Sequence, residues 1–360
     1  MSNCEISLIV KTPLGLEKIV ATRIEELGFK CEVKPKPQGY PGLVIVQSLS
    51  EPEKFELGSK IKKEIPEAER VLVSMDCVEA KLQKIVDAAV KIAMETMSGE
   101  RSFAVRTVRR GSHPYTSVDV NRAVGSGIVA TLGAPVDLSC PDKIIWVEII
   151  GNSAAIGICE GSEVWRKLTP EKAEVRRFFS KVSVIQMPYL GSKSAVRTMG
   201  VRIGRAVQMF EVGELVVGIL GSPKAKELGW FIESLIEGIA SRYNIQTKTY
   251  AHKPRKVEVL VQDIYQLVRD RRDEPKIVFE PEGQVFPKVA DKLAEYFLSD
   301  TRRVNLLFGS REGIPKGIFR FADLVVDLCP GITLSTEYAA SSALIGIAYK
   351  LEERLLREKE

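Results

Sequence analysis

The chain has 360 residues and carries 52 Lys+Arg against 47 Asp+Glu, a formal charge of +5. Hydrophobic residues make up 45% and charged residues 28%, which excludes wholesale disorder and leaves room for two or three folded domains. The only histidines are His113 and His252, and the six cysteines (Cys4, Cys31, Cys77, Cys140, Cys159, Cys329) form no C-x-x-C pair. A multi-histidine metal site, a zinc ribbon and a dense secreted disulfide framework are excluded, so no metal is expected and the thiols read as buried and free. No apolar run approaches the ~18 residues of a membrane span. The start MSNCEISLIVKTPLG has no basic n-region and no small-residue cleavage site, so no signal peptide is expected and the location reads as cytoplasmic.

Residues 1–100 alternate short apolar runs with helical patterns. Ile6–Val10 and Leu43–Val46 read as strands. Thr12-Pro13 opens a helix carrying Leu16, Ile19, Val20, Ile24 and Leu27, ended by Gly28. Lys81–Met97 is a second amphipathic helix. The order predicts a small α+β domain. In residues 101–165, Ser102–Arg109 is strand-like, and Thr116 or Ser117 caps a helix with Val120, Val124, Ile128 and Leu132 on one face. Ile144–Ile149 and Ala154–Ile158 are strands joined through Gly151-Asn152. Residues 166–180 are a charged connector. From 181 to 360, strands at 182–187, 215–220, 277–279, 304–308 and 322–328 alternate with helices near 193–210, 224–243, 258–271, 287–298 and 335–356. That is the pattern of an α/β domain with a mainly parallel sheet.

The most basic stretch is RSFAVRTVRRGSHPYTSVDVNR at 101–122, with Arg101, Arg106, Arg109, Arg110 and Arg122 against the single acid Asp119. Arginine forks suit phosphate oxygens, and the turn holding His113 precedes a helix start whose free N–H groups favour an anion. The competing reading is a solvated charged face. The spaced residues Phe103, Val105, Arg106, then Arg109–Gly111, then Thr116, Ser117, Asp119–Arg122, Val124 and Gly125, then Val136–Leu138, Pro141, Asp142, and Ile145, Val147–Ile149 resemble a THUMP domain. The resemblance implies docking on folded tRNA through Arg101, Arg106, Arg109, Arg110, His113 and Arg122. It also implies a ferredoxin-like domain at residues 1–100.

The chemistry must then lie in the C-terminal half. No S-G-G-x-D-S pyrophosphatase loop occurs, and Asp327–Gly331 (DLCPG) does not match an N/D-P-P-Y tetrapeptide. VNLLFGSREGIPKG at 304–317 and LVVDLCPGITLSTEYAASSALIGIA at 324–348 each run a buried strand into a glycine-bearing loop. Ligands of parallel sheets bind at such carboxyl ends, where glycines allow close backbone approach. This pair is similar to motifs two and three of the SPOUT (alpha/beta-knot) methyltransferases, and Phe279–Gly283 to the family's first loop. The resemblance implies a fused THUMP–SPOUT RNA methyltransferase, α/β and α+β multidomain, with a trefoil-knotted C-terminal domain at 181–360 and a homodimer built through it.

By the same resemblance S-adenosyl-L-methionine is the cofactor, held by Pro281, Gly283, Phe308, Gly309, Ser310, Gly313, Ile314, Leu328, Pro330, Gly331, Ile332 and Leu334. RNA, most naturally tRNA, is the implied partner. Arg311, Glu312 and Glu337 are the ionisable candidates for the chemical step. Two alternatives stay open: a non-catalytic RNA-binding or chaperone protein with a vestigial pocket, and an enzyme acting on rRNA.

Overall fold

Strand β1 (Ile6–Lys11), helix α1 (Glu17–Glu26), β2 (Glu32–Pro35), β3 (Leu43–Gln47), α2 (Glu51–Glu64) and β4 (Arg70–Val73) open the chain. In this computed structural model residues 5–97, 99 and 101–358 are described. The first sheet has the order β2-β3-β1-β4, with every pairing antiparallel. That order with βαββαβ connectivity is ferredoxin-like. Leu8, Val10, Val44 and Val46 point to one face and pack with Val20, Ile24, Leu57 and Ile61 of the two helices, as the period-2 and period-3.6 patterns require.

Helix α1 starts later than Thr12-Pro13 suggests, because Glu17 is drawn inside. Its side chain is fully buried, and Oε1 accepts the Gly42 N–H at 2.7 Å. Lys36 lies 3.5 Å from the other oxygen. The Gly42 N–H is the main cause that holds the carboxyl well below its ordinary 4.5, at about 2.

A second layer follows: β5 (Asp76–Glu79), α3 (Leu82–Thr96), β6 (Phe103–Arg110), α4 (Ser117–Leu132), β7 (Lys143–Ile150) and β8 (Ser153–Glu160). Its sheet order is β5-β8-β7-β6. Thr116 caps α4: its Oγ1 accepts the Asp119 N–H at 3.2 Å, and Asp119 accepts the Thr116 N–H at 2.8 Å. Strand β5 and helix α3 come from within the first 100 residues yet share sheet and core with 101–160. The remaining face of this sheet, through Trp146, Ile150 and Ala155, packs on Ile9, Leu43, Ile45 and Leu72 of the first. Together these layers form one compact unit, Met1–Thr169.

The second unit, Pro170–Glu360, runs α5 (Arg176–Phe179), β9 (Val182–Gln186), α6 (Lys193–Met209), β10 (Glu214–Ile219), α7 (Ala225–Thr249), β11 (Glu258–Asp263), α8 (Ile264–Asp270), β12 (Lys276–Val285), α9 (Phe286–Leu298), β13 (Val304–Phe308), α10 (Lys316–Phe319), β14 (Leu324–Asp327) and α11 (Thr336–Arg357). Its six strands are all parallel, in the order β11-β10-β9-β13-β12-β14. The helix expected over 258–271 is corrected: 258–263 is the edge strand β11, and only 264–270 is helical. Val259 and Val261 are β-branched, and pairing with β10 satisfies backbone groups that a helical turn would otherwise need.

The thiol expectation also changes. Cys31, Cys140, Cys159 and Cys329 are free but only half-buried, and Cys77 is disulfide-bonded. Cys4 lies outside the described residues. No helix among the described residues is long and apolar enough to cross a membrane.

Glu17 gives the first unit a defined acid sensitivity. Its folded pKa of about 2 lies below the ordinary 4.5, so its stabilisation is complete above pH 4.5 and is lost as pH falls toward 2. Glu17→Gln should lower the urea midpoint of this unit at neutral pH and flatten its pH dependence below pH 4.5. Urea titrations at pH 7 and pH 3 check both.

Candidate functional site

Strands β13 and β14 and the first run of β12, to Phe279, reach one level, with the end of β9 beside β13. Phe308 pairs with Gln186 on one side and Phe279 on the other, and the Phe279 and Phe308 rings stack at 5.0 Å. Gln186 ties the strand ends together: its Nε2 donates to the Gly309 carbonyl at 2.8 Å and the Met187 carbonyl at 3.1 Å. Three loops leave this edge and enclose a cleft. One side is Phe279, Glu280 and Pro281, a second is Gly309–Arg311 and Gly313, and the third runs from Val326 to Thr336 with Ala339 of α11 behind it.

The first loop is an excursion inside β12. Phe279 and Gln284 both lie opposite Val326, so residues 280–283 leave the ladder and return. Gly283 does not reach the cleft; a Cβ there would sit 2.4 Å from the Val326 nitrogen.

Of the residues expected to hold a ligand, Pro281, Gly309, Ser310, Gly313, Leu328, Ile332 and Leu334 line the cleft, as does Arg311. Phe308, Ile314, Pro330 and Gly331 do not, nor do Glu312 and Glu337. Phe308 braces Phe279 from behind. Glu312 is exposed on the loop. Glu337 is buried at the start of α11, where Arg202 donates to its Oε1 at 2.9 Å. Burial opposes ionisation of Glu337, but its own backbone N–H, the Ser335 hydroxyl and Arg202 together hold the carboxyl below the ordinary range. Arg311 donates to the Tyr189 hydroxyl at 2.6 Å and lies over that ring at 4.4 Å.

Sequence reasoning missed Glu280. Its Oε1 accepts the Ile314 N–H at 2.6 Å, so the carboxyl spans from the first loop to the far end of the second. Burial lifts its pKa above the ordinary carboxylate range, against the lowering effect of the Ile314 N–H. The glycines of the second loop make room for it. A Cβ on Gly309 would lie 2.4 Å from Glu280 Oε1, and one on Gly313, which has φ +70°, would lie 3.1 Å away. The sequence marks it only as an acid three residues before Gly283 in a strand-end motif.

The cleft therefore offers an apolar floor (Phe279, Val326, Leu328, Leu334), main-chain polar groups, the carboxyl groups of Glu280 and Asp327 and the guanidinium of Arg311. This set fits a flat heterocycle against the floor and a cationic group against the acids.

The comparisons decide the family. The family described as AF2226-like SPOUT RNA methylase fused to THUMP matches residues 176–360, and a THUMP domain matches 79–158. The chain belongs to the SPOUT RNA methylases fused to THUMP. An uncharacterized protein of Methanocaldococcus jannaschii is 41% identical over 344 residues, 95% of this chain and 93% of that protein. Local similarity joins the chain to a tRNA (guanine(6)-N2)-methyltransferase of Thermus thermophilus, 37% identical over 71 residues and covering 20% of this chain and 21% of that protein. A probable tRNA sulfurtransferase of M. jannaschii is 32% identical over 147 residues, 39% of this chain and 38% of that protein. A crystal structure from Pyrococcus horikoshii is 20% identical and covers 97% of this chain and 99% of its own, at a TM-score of 0.35.

Arg106, Arg109 and Arg110 of the THUMP domain sit on β6, the edge strand of its sheet. Strand alternation sends Arg106 and Arg110 to one face and Arg109 to the other. Arg106 is exposed and donates to the Leu138 carbonyl at 2.6 Å. Arg109 reaches the Gly111 carbonyl at 3.2 Å and His113 Nδ1 at 3.3 Å, while His113 Nε2 meets the Gly151 carbonyl at 2.7 Å. Arg101 faces Glu160 at 3.5 Å, and Arg122 is exposed on α4. Arg110 differs: it donates at 2.7 Å to Glu148, whose side chain is 3% exposed and also pairs with Lys11.

Arg110→Ala should therefore lower the thermal midpoint, because a buried carboxylate loses a partner. Arg106→Ala should leave the midpoint within error. Calorimetric melts of the two single variants separate these outcomes.

Proposed function

We propose that the protein is an S-adenosylmethionine-dependent methyltransferase acting on tRNA, with the THUMP domain docking the RNA. The observation that carries the reading is the cleft at the level ends of β13, β14 and the first run of β12, walled by two glycine-bearing loops and floored by apolar side chains. When bound there, S-adenosylmethionine supplies an electrophilic methyl group on a sulfonium sulfur. Main-chain groups of Gly309–Gly313 and Leu328–Leu334 hold the heterocycle, and the floor excludes water from it. Arg311, fixed by Tyr189, steadies an anionic group of the RNA; a guanidinium has no acceptor lone pair and does not serve as a base. Glu312 takes the proton that an attacking amine or hydroxyl must lose.

The fused THUMP domain and the local likeness to tRNA-modifying proteins support tRNA as the substrate. Arg101, Arg106, Arg109 and Arg122 contact phosphate in this reading and position the RNA without reading bases. The trefoil knot, the C2 dimer through the SPOUT domain and a cytoplasmic location belong to the same reading. Support for the dimer comes from α11, where Ile345 and Tyr349 stay exposed beside the buried Ala340, Ala343 and Ile347.

Transfer RNA from a strain lacking the gene should miss one methylated nucleotide by mass spectrometry, and purified protein with S-adenosylmethionine should restore it. Unchanged tRNA overturns the substrate. Glu312→Gln should keep tRNA affinity and slow single-turnover methylation by roughly 10²-fold; an unchanged rate removes Glu312 from the step. Arg106→Ala should weaken tRNA binding across sequences and flatten the salt slope by about one unit, leaving cofactor affinity as it was.

A further inference from the structure

Glu280 is a carboxylate set into the cleft wall without a cation of its own. Its Oε1 is used by the Ile314 N–H. No donor reaches Oε2 from the described residues, and the side chain lines the cleft. Lys316, the cation nearest in sequence on the facing loop, is taken by Glu282 in a short ion pair. Arg311, the guanidinium in the cleft lining, is held on Tyr189. Asp327, the other acid of the lining, accepts the Cys329 N–H at 3.0 Å. A half-buried carboxylate with one hydrogen bond, whose counter-charge is only the field of a Lys316 already paired to Glu282, is costly unless a ligand completes it.

We infer that Glu280 is the subsite for a cationic amine of the ligand, and that its other oxygen sets the Gly309–Ile314 loop in the shape that closes around that ligand. For the methyl donor proposed above, the group is the α-ammonium of the methionine moiety. The inference rests on that reading of the cleft. One carboxyl thus does two jobs at its two oxygens. Oε1 is a positioning acceptor, fixing a loop whose glycines leave no space for anything larger beside it. Oε2 is a binding acceptor, which prefers a charged donor because hydrogen bonds between ions are the strong ones.

The two jobs separate by substitution. Glu280→Gln keeps an oxygen for the Ile314 N–H and removes the charge, whereas Glu280→Ala removes both. Hydrogen exchange should find the Ile314 amide protected in wild type and in Glu280→Gln and unprotected in Glu280→Ala. Calorimetry should find S-adenosylmethionine bound at least about tenfold more weakly by Glu280→Gln than by wild type, the scale of one charged hydrogen bond. Binding of S-adenosylhomocysteine, which keeps the ammonium but not the sulfonium charge, should weaken to the same degree, and binding of 5′-methylthioadenosine, which lacks both charges, should be unchanged by Glu280→Gln.

Wild-type affinity of Glu280→Gln for S-adenosylmethionine or S-adenosylhomocysteine, or an equal loss for 5′-methylthioadenosine, overturns the ammonium subsite. Protection of Ile314 in Glu280→Ala overturns the positioning role. A wild-type protein that binds none of these ligands overturns the reading of the cleft itself, and the subsite with it, while the exchange result still reports on the loop.

Discussion

The arrangement of the C-terminal unit depends on the shared register of three parallel strands. Because Phe279 lies opposite both Phe308 and Val326, the loops leaving β13, β12 and β14 emerge at one height and close over the same space. At the other end of the sheet β13 is pinned to β9 and β10 by charge. Arg271 donates at 2.7 Å to Ser183 Oγ and to Asn305 Oδ1, and lies 2.9 Å from Glu214. Ser183, Glu214 and Asn305 are paired residues of β9, β10 and β13, so a single buried guanidinium locks three strands against slipping. A one-residue slip would turn every side chain to the opposite face and would dismantle the cleft at the far end.

The same logic of partners sorts the basic segment of the THUMP domain. Its five arginines are one run in sequence but not one surface. Alternation along β6 divides them, and the buried Glu148 claims Arg110. A guanidinium committed to a desolvated carboxylate contributes to folding. One that donates only to a surface carbonyl, as Arg106 does, keeps further N–H groups for an outside partner. Proximity in sequence identifies the charge; only the partners separate the structural arginine from those free to meet RNA.

Much of this was legible in the amino-acid order, for physical reasons that also explain the gaps. The C-terminal strands could be read because buried parallel strands are continuous apolar runs, as in Val304–Phe308. The edge strand β11 could not, since Glu258–Asp263 is largely solvent-facing and carries no buried face to give it away. Helix α2 was passed over although Ser50 and Glu53 form a capping box; its mixed polar sequence hides the apolar stripe of Leu57 and Ile61. The glycine loops of the cleft were found from composition. Glu280 was not, because nothing in the sequence says that a carboxyl from one loop will accept an N–H from another 34 residues away.

The Glu280 carboxyl changes what the glycines mean. A glycine-bearing loop at a strand end suggests that a ligand approaches the backbone, and on that view a bulky residue at position 309 would fail by striking the ligand. Here the atom nearest a Cβ on Gly309 is Glu280 Oε1 at 2.4 Å, followed by Gly313 at 2.7 Å. A larger residue would first expel the carboxyl and spread the loop. Loss of binding in Gly309→Val would therefore show that the loop shape matters without showing what the cleft binds. The charge-removing, shape-keeping change at Glu280 isolates the chemistry, because it leaves the glycines, the Ile314 bond and the apolar floor in place.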